Sequence, residues 1–580
     1  MFNMRLMLLT LLTCIYSTSL YAQQSNVNVV INGIEKKLED NVRQYLSLEQ
    51  QKEHALLSEG RIRRLHKKAP DEINRALQPF GFYRPVIKTN LIQTSPAHWQ
   101  ASYTIDPGPQ LPISEFNFVI SEQMSTDAEY LSVLENFNLH KGETFNHVEY
   151  ENFKTDLAKL SVEQGYFDAH FIEHRVEIDL SNYEARIHLN YETGQRYRFG
   201  EVSLKQNVLD EDLLLRYIPF KKGAPYNLNQ LIDLQQTLND SDYFRTVEVS
   251  PGQPQPGSDS IPVSVKLEPH KQHRFSIGLG YGSDTGARTK FGWQIPRLNT
   301  RGHRLNTEFK ASQIGYSLAT QYRVPVLNPR TDQMIYSAGV VNEKTDTSDS
   351  TVRTIGASLK RSRSAWRESI SLNYQQEDFE IADISDSSTL LLLGVSWNRT
   401  WGKNFIYAID GLRFDLSLSG ANKKLISDSN FSQMEIGIKA INTLNQHNRI
   451  ILRGNLGSTW TNEFDQLPAS VRFFAGGAQS VRGYAYQSLG PVDTNDLVVG
   501  GKHLMVGSIE FEHSFSNNWG VGVFYDAGNA IDDFNDPLER GAGFGLRWKS
   551  PVGMVRIDLA SAISSDGQPW RLHINIGPDL

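Results

Sequence analysis

A single cysteine, Cys14, occurs in 580 residues, and it sits inside the first apolar run of the chain. With that run removed no thiol remains, which excludes disulfides, thiolate metal sites and a cysteine nucleophile together. Long hydrophobic stretches are the second scarcity: beyond Ala22 no apolar run reaches the roughly 18 residues that a membrane helix needs. Two options survive, a soluble chain or one that crosses a membrane as strands. A surplus of basic charge is missing as well. The net charge is -7, whereas nucleic-acid binders present a basic face, so no nucleic-acid partner is expected. The cluster Arg61, Arg63, Arg64, His66, Lys67 and Lys68 is the local exception, and it reads as the solvated face of a helix.

What is present begins with an export signal. Arg5 precedes the apolar run Leu6 to Ile15, and small or polar residues close on Ala22, the layout of a cleavable signal peptide over residues 1–22. Leu20 stands where a smaller residue is preferred, and Thr13 before Cys14 argues against a lipoprotein signal.

The N-terminal half repeats a unit three times. In each copy an amphipathic helix leads into an aromatic step: Ile73, Leu77 and Phe80 into Gly81-Phe82-Tyr83; Phe153, Leu157 and Leu160 into Gly165-Tyr166-Phe167; Leu231, Ile232, Leu234 and Leu238 into Asp242-Tyr243-Phe244. Spacings of three and four residues mark one apolar stripe per helix. Lys141-Gly142-Glu143-Thr144-Phe145-Asn146 parallels Lys222-Gly223-Ala224-Pro225-Tyr226-Asn227 at the head of the helix. Two strand-like runs follow each step, and Ser250 to Ser260 reads as the hairpin loop of the third pair. The units are small α+β modules over residues 26–109, 110–195 and 196–271, each with two helices on a short sheet. Exposed sheet edges suit such modules to pairing with an added peptide strand.

From residue 272 to 580 helical spacing gives way to alternation. Leu305, Thr307, Phe309 and Ala311 share one face, and Arg304, Asn306, Glu308 and Lys310 the other. Val555, Ile557 and Leu559 likewise oppose Met554, Arg556 and Asp558. Apolar residues outside and charged ones inside fit an all-β transmembrane barrel. Aromatic-rich strands and unequal loops count against a soluble β-sandwich. Length allows roughly 12 to 16 strands; we expect 16, antiparallel. Glu343 to Ser350 and Glu377 to Ser387 are expected to be outward loops.

Between two strand-like segments lies Val481-Arg482-Gly483-Tyr484, in a glycine-rich stretch able to fold back into the lumen. From inside the barrel Arg482 could reach Asp526, Glu510 or both, on the polar faces of two later strands, and an arginine taken out of water needs such partners; a surface loop with a solvated arginine is the alternative from composition alone. Gly278, Gly280 and Gly282, like Gly541, Gly543 and Gly545, alternate strictly and read as strand glycines rather than a nucleotide loop. His270 and His273 lack a third ligand for a metal. With no nucleophile, base and orienter set in view, neither enzymatic activity nor a cofactor is expected.

The segment Val481-Arg482-Gly483-Tyr484 resembles the lumenal-loop motif of the outer-membrane assembly superfamily that includes the BamA and TamA families and the two-partner secretion transporters. Phe524-Tyr525-Asp526-Ala527-Gly528 and Gly543-Phe544-Gly545-Leu546-Arg547-Trp548 are similar to its strand motifs. The resemblance implies that Arg482 pairs with Asp526 and with Glu510. It also implies that the modules are POTRA domains, and three of them before a barrel look most like the TamA family. By the same resemblance the location is the outer membrane of a Gram-negative bacterium with the modules in the periplasm. The partners would be a TamB-like inner-membrane-anchored periplasmic protein, unfolded outer-membrane clients such as autotransporters, and outer-membrane lipid. Gly577 and Pro578 are expected to weaken pairing of the last strand with the first, since proline lacks an N–H and glycine is a poor strand former. A seam between residues 274–281 and 570–576 would then open toward the bilayer. Three function classes stay open: assembly of β-rich outer-membrane proteins, a two-partner-secretion-type pore, and phospholipid transport.

Overall fold

In a computed structural model, the described residues are 26–52, 57–96, 98–121, 124, 130, 132–133, 137, 139–254, 256–402, 407–551 and 553–577. The expected signal peptide and Pro578 lie outside them.

Alternating burial builds the sheet of the first module. Its strands Asn26–Asn32, His98–Asp106 and Val86–Ser95 lie in that order, the first pair parallel and the second antiparallel. Val27, Val29 and Ile31 point to the same side as Trp99, Ala101, Tyr103 and Ile105, and all seven are buried. The helix Glu59–Leu77 covers that side with Ile62, Leu65, Ala69, Ile73 and Ala76, the spacing of one helical stripe. The second and third modules repeat the strand order, as Ile113–Ile120, Glu184–Glu192, His170–Asp179 and as Arg198–Lys205, Ser260–Pro269, Phe244–Pro251. Each sheet thus has one strand more than the two-strand reading anticipated. Those extra strands are short, and in all three sheets they take an edge.

The aromatic step marks the same backbone position in every copy. Gly81 and Gly165 adopt φ of 85° and 86°, and Asp242 adopts 60°. In the first two copies glycine removes the penalty of the left-handed region; in the third a short polar residue takes its place.

Sixteen strands, from Arg274–Gly282 to Trp570–Gly577, form one sheet in which each is antiparallel to the next. Phe275, Ile277, Leu279 and Tyr281 on the first strand are exposed, as expected where lipid rather than water meets the wall. The sixth, seventh and eighth strands, Ser348–Arg363, Trp366–Ile381 and Ile384–Gly402, run to 16, 16 and 19 residues. Together with the fifth strand, Asp332–Lys344, they take up most of the two acidic stretches expected to be loops, leaving turns at residues 345–347 and 382–383. Glu377 shows why: it faces inward, fully buried, accepting from the Ser470 N–H at 3.1 Å and the Ser350 hydroxyl at 2.8 Å. Charge in those runs serves a water-side face of extended strand, so alternation continues through it.

Tyr243 and Arg330 tie helical and strand segments of the third module to the barrel's short turns. The Tyr243 hydroxyl donates to the Gly302 carbonyl at 2.6 Å, and Arg330 pairs with Asp233 at 2.6 Å.

Candidate functional site: an arginine lock inside the barrel

The loop joining the eleventh strand, Asn448–Trp460, to the twelfth, His503–Ser514, doubles back on itself. Phe473 and Gly501 exchange backbone hydrogen bonds at 3.1 and 2.9 Å, and Ala475 and Leu489 do so at 2.9 Å each way. This paired stem carries Val481 to Tyr484 against the inner faces of the last strands. Val481 is fully buried in a cluster with Ala475, Leu489 and Val506, while the Tyr484 hydroxyl donates to Glu539 at 2.6 Å.

Arg482 is the centre. Its Nε and Nη2 meet the two oxygens of Asp526 at 2.7 and 2.9 Å, and its own backbone N–H adds a third bond to that carboxylate at 3.0 Å. Nη1 reaches Glu510 at 2.8 Å and Asp558 at 3.1 Å. The Phe524 ring lies under the guanidinium, 3.3 Å from centroid to Cζ, a cation–π contact. Nη2 also donates to the Ser508 hydroxyl at 3.2 Å, so every donor of the fork is used, an arrangement lysine cannot copy.

A second guanidinium shares these acids. Arg547 donates to Glu510 at 2.6 Å, Glu512 at 2.8 Å and Asp558 at 2.5 Å, and Arg449 binds the other oxygen of Glu512. Asp526, Glu510, Glu512 and Asp558 are all buried. Four carboxylates held by three guanidiniums form a network in which losing one partner strands the others, a cost of about 3–5 kcal/mol per broken buried pair.

The strand glycines make the room. Gly541 lies directly beneath the Arg482 backbone, and a Cβ built on Gly543 would stand 2.6 Å from the Phe524 ring. At Gly545 the same atom would lie 2.0 Å from an Asp558 carboxylate oxygen, and at Gly528 2.7 Å from the Val506 Cα. These residues act as an absence of side chain on the fourteenth and thirteenth strands, Glu539–Ser550 and Trp519–Ile531, which lets a loop and its salt bridges lie flat on the wall.

The loop also touches both edges of the sheet. The Gly483 N–H donates to His573 Nε2 at 3.0 Å, and the Ala478 N–H to Asp284 at 2.8 Å. His573 belongs to the sixteenth strand, and Asp284 to the turn after the first. Between those strands the described residues show no ladder: the Ser283 N–H, one residue past the first strand, donates to the Ile574 carbonyl at 3.1 Å, the Ile574 N–H donates to the Ser283 hydroxyl at 3.2 Å, and His573 Nδ1 lies 3.7 Å from the Asp284 carboxylate. Gly577 ends the last strand opposite Met554 of the fifteenth.

Arg482, Asp526, Glu510, Phe524 and Arg547 are thus brought together, with Gly543 and Gly545 below them. Sequence reading missed Asp558, Glu512, Arg449, His573 and Asp284. Asp558 shares the lumenal face with Arg556 in the alternating pattern, and that face was its available signal.

The family model described as the Omp85 superfamily domain matches residues 273–579, more than half of the chain. The chain belongs to the Omp85 superfamily. Further models match this Omp85 protein upstream: one described as POTRA domain TamA domain 1 over residues 28–107, and one described as surface antigen variable number repeat over residues 197–269. The outer membrane protein assembly factor BamA of Nitratidesulfovibrio vulgaris is 22% identical over 487 residues, covering 78% of this chain and 60% of that protein. The chain therefore spans about three fifths of the length of that relative. BamA from Haemophilus ducreyi lacking POTRA domains 1-3 has a TM-score of 0.67 at 17% identity, over 80% of this chain and 99% of that one. The likeness establishes the fold: POTRA domains followed by a nearly closed barrel of 16 antiparallel strands.

Proposed function

We propose that this Omp85 protein is a Gram-negative outer-membrane assembly factor of the TamA type, which helps insert or secrete β-rich outer-membrane proteins such as autotransporters. The observation that carries this reading is the seam. Unpaired backbone groups facing lipid cost several kcal/mol each, so a wall whose last strand meets the first edge through two hydrogen bonds to Ser283, one residue past the first strand, is poised to exchange them for a client strand. Strand exchange swaps one set of hydrogen bonds for another and needs no nucleotide. The POTRA sheets, with the short strands Asn26–Asn32, Ile113–Ile120 and Arg198–Lys205 at their edges, receive unfolded clients in the periplasm by strand addition. A TamB-like inner-membrane-anchored protein is the partner on that side. The match of the first module to a TamA domain supports the TamA type, and the inward loop, bonded to Glu377 of the seventh strand as well as to Asp526 of the thirteenth, supports assembly over an open secretion pore.

Depletion of the protein followed by outer-membrane proteomics and lipid analysis tests the reading. Selective loss of β-rich outer-membrane proteins with unchanged phospholipid distribution is the expected result. Altered phospholipid supply with an intact protein complement would replace assembly by lipid transport.

A further inference from the structure

A row of alternating cation and aromatic side chains crosses four neighbouring strands on the outward face of the barrel. Arg363 on the sixth strand is in register with Trp366 on the seventh, Trp366 with Arg399 on the eighth, and Arg399 with Phe414 on the ninth, Gly411–Ala421. The adjacent row reads Arg361, Glu368, Trp397 and Leu416. Alternation places both rows on the same face as Ile370, Leu372 and Leu393, which are exposed. They stand at the end of the wall from which the chain enters the first strand.

Three guanidiniums and one carboxylate leave this patch with a surplus of two positive charges. The Arg399 guanidinium lies 4.3 Å from the Trp401 ring and 5.5 Å from the Trp366 ring, so two indoles hold its position. Its Nε is enclosed and, among the described residues, meets no hydrogen-bond acceptor; the Nε of Arg361 is in the same state. An enclosed donor without an acceptor costs about 1–3 kcal/mol, more when charged. Between the rows opens a cleft of about 460 Å³ lined by Arg363, Trp366, Glu368, Trp397, Phe414 and Leu416. Aromatic side chains alone would make an ordinary interfacial belt; a row with surplus guanidinium charge beside an open cleft asks for an anion.

We propose that this cleft is a binding site for a glycerophospholipid of the adjoining leaflet. Its phosphate accepts from Arg363, the guanidinium that lines the cleft, with Arg399 and Arg361 on the same two rows outweighing the charge of Glu368; its glycerol region lies against Trp366 and Trp397, and its acyl chains continue along the Ile370, Leu372 and Leu393 surface. Planar guanidiniums match phosphate oxygens in pairs, and apolar wall beginning immediately beside the charges selects a ligand with an anionic head and a hydrocarbon tail over a free anion. The site rests on the membrane placement of the barrel and is independent of which client the protein handles.

The test is native mass spectrometry of the full chain, stripped of lipid in detergent and titrated with phosphatidylglycerol and then phosphatidylethanolamine. Arg363→Gln with Arg399→Gln should weaken the first lipid-binding event at least tenfold, the loss of one charged hydrogen bond or more. Arg353→Gln is the control, because Arg353 lies on the same outward face of the sixth strand but is paired with Asp378 at 2.7 Å; it should bind as the wild type. Heat-dependent electrophoretic mobility reports that each barrel is folded. Equal lipid affinity in all three proteins overturns the site and leaves the assembly reading standing, which client insertion scores separately.

Discussion

Gly541 and Arg482 compete for one volume: a Cβ built on Gly541 would lie 1.8 Å from the Arg482 carbonyl oxygen. The loop can carry its arginine to Asp526 only because the fourteenth strand offers no side chain there. Gly541→Val should therefore lift the loop and break the lock while leaving every charged residue in place. The readout is protease sensitivity of residues 472–502 in the folded barrel, which should rise. Gly454→Ala, where the nearest heavy atom to the new carbon is 3.9 Å away, should change nothing.

Truncating the arginine itself is the direct perturbation. Arg482→Ala leaves Asp526 buried without its guanidinium and Glu510 with Arg547 alone, at a cost of about 3–5 kcal/mol. The barrel should still insert, but with a lower unfolding temperature by circular dichroism and with impaired client assembly. Arg482→Lys should fall close to the alanine variant, since one ammonium cannot meet both oxygens of Asp526 and reach Glu510 and Asp558 as well.

The first POTRA module should weaken in mild acid. His66, on the helix Glu59–Leu77, places Nδ1 3.0 Å from the Tyr103 hydroxyl, and burial holds the imidazole below its ordinary value of 6.5. The folded state then binds fewer protons than the unfolded state just below that value, so stability rises with pH through the window. It is fully present above about 6.5 and is lost as the pH falls through the lowered folded value. Hydrogen exchange of the intact protein, corrected for intrinsic rates, should show less protection of residues 59–77 and 98–106 at the acid end. His66→Asn should flatten that dependence.

How far the site was legible depends on what alternation can and cannot say. It assigns a face to each strand residue, so Asp526 and Glu510 could be placed in the lumen before any coordinates, while the place of Arg482 beside them came from the resemblance of its loop motif. It does not say which residues on strands two or three apart come level, because that follows from the stagger of the closed sheet. Asp558 and Glu512 therefore stayed hidden although their faces were known. His573 and Asp284 were less visible still: 289 residues separate them in the chain, and only closure of the barrel brings both to the same loop. In the modules the helix before each aromatic step and the hairpin after it were readable because their apolar periods are long, whereas the short helices Lys36–Tyr45, Ser47–Lys52 and Glu211–Leu215 were not. The strands Asn26–Asn32, Ile113–Ile120 and Arg198–Lys205 were not, being short elements whose sheet partners are distant in sequence. Glu377 misled in the opposite direction, since a fully buried acid bonded to Ser350 and Ser470 looks in sequence like part of a solvated loop.

Asp284 and His573 should act on the seam rather than on the lock. Asp284→Ala removes the acceptor of the Ala478 N–H, and His573→Ala that of the Gly483 N–H. Each should raise exchange or crosslinking at the first and sixteenth strands while the Arg482 to Asp526 pair stays formed. Loss of Arg482 burial in either variant would show instead that the clip and the lock are one cooperative unit.

The central claim is that the seam opens, and a disulfide across it is the most direct measurement. Ser283 and Ile574 face each other there, joined by both of their hydrogen bonds, and the mature chain offers no competing thiol if cleavage removes Cys14. Ser283→Cys with Ile574→Cys should form a crosslink under oxidation, abolish client assembly in that state, and recover it on reduction, with the single variants active throughout. Undiminished client assembly by the fully crosslinked protein would contradict the account.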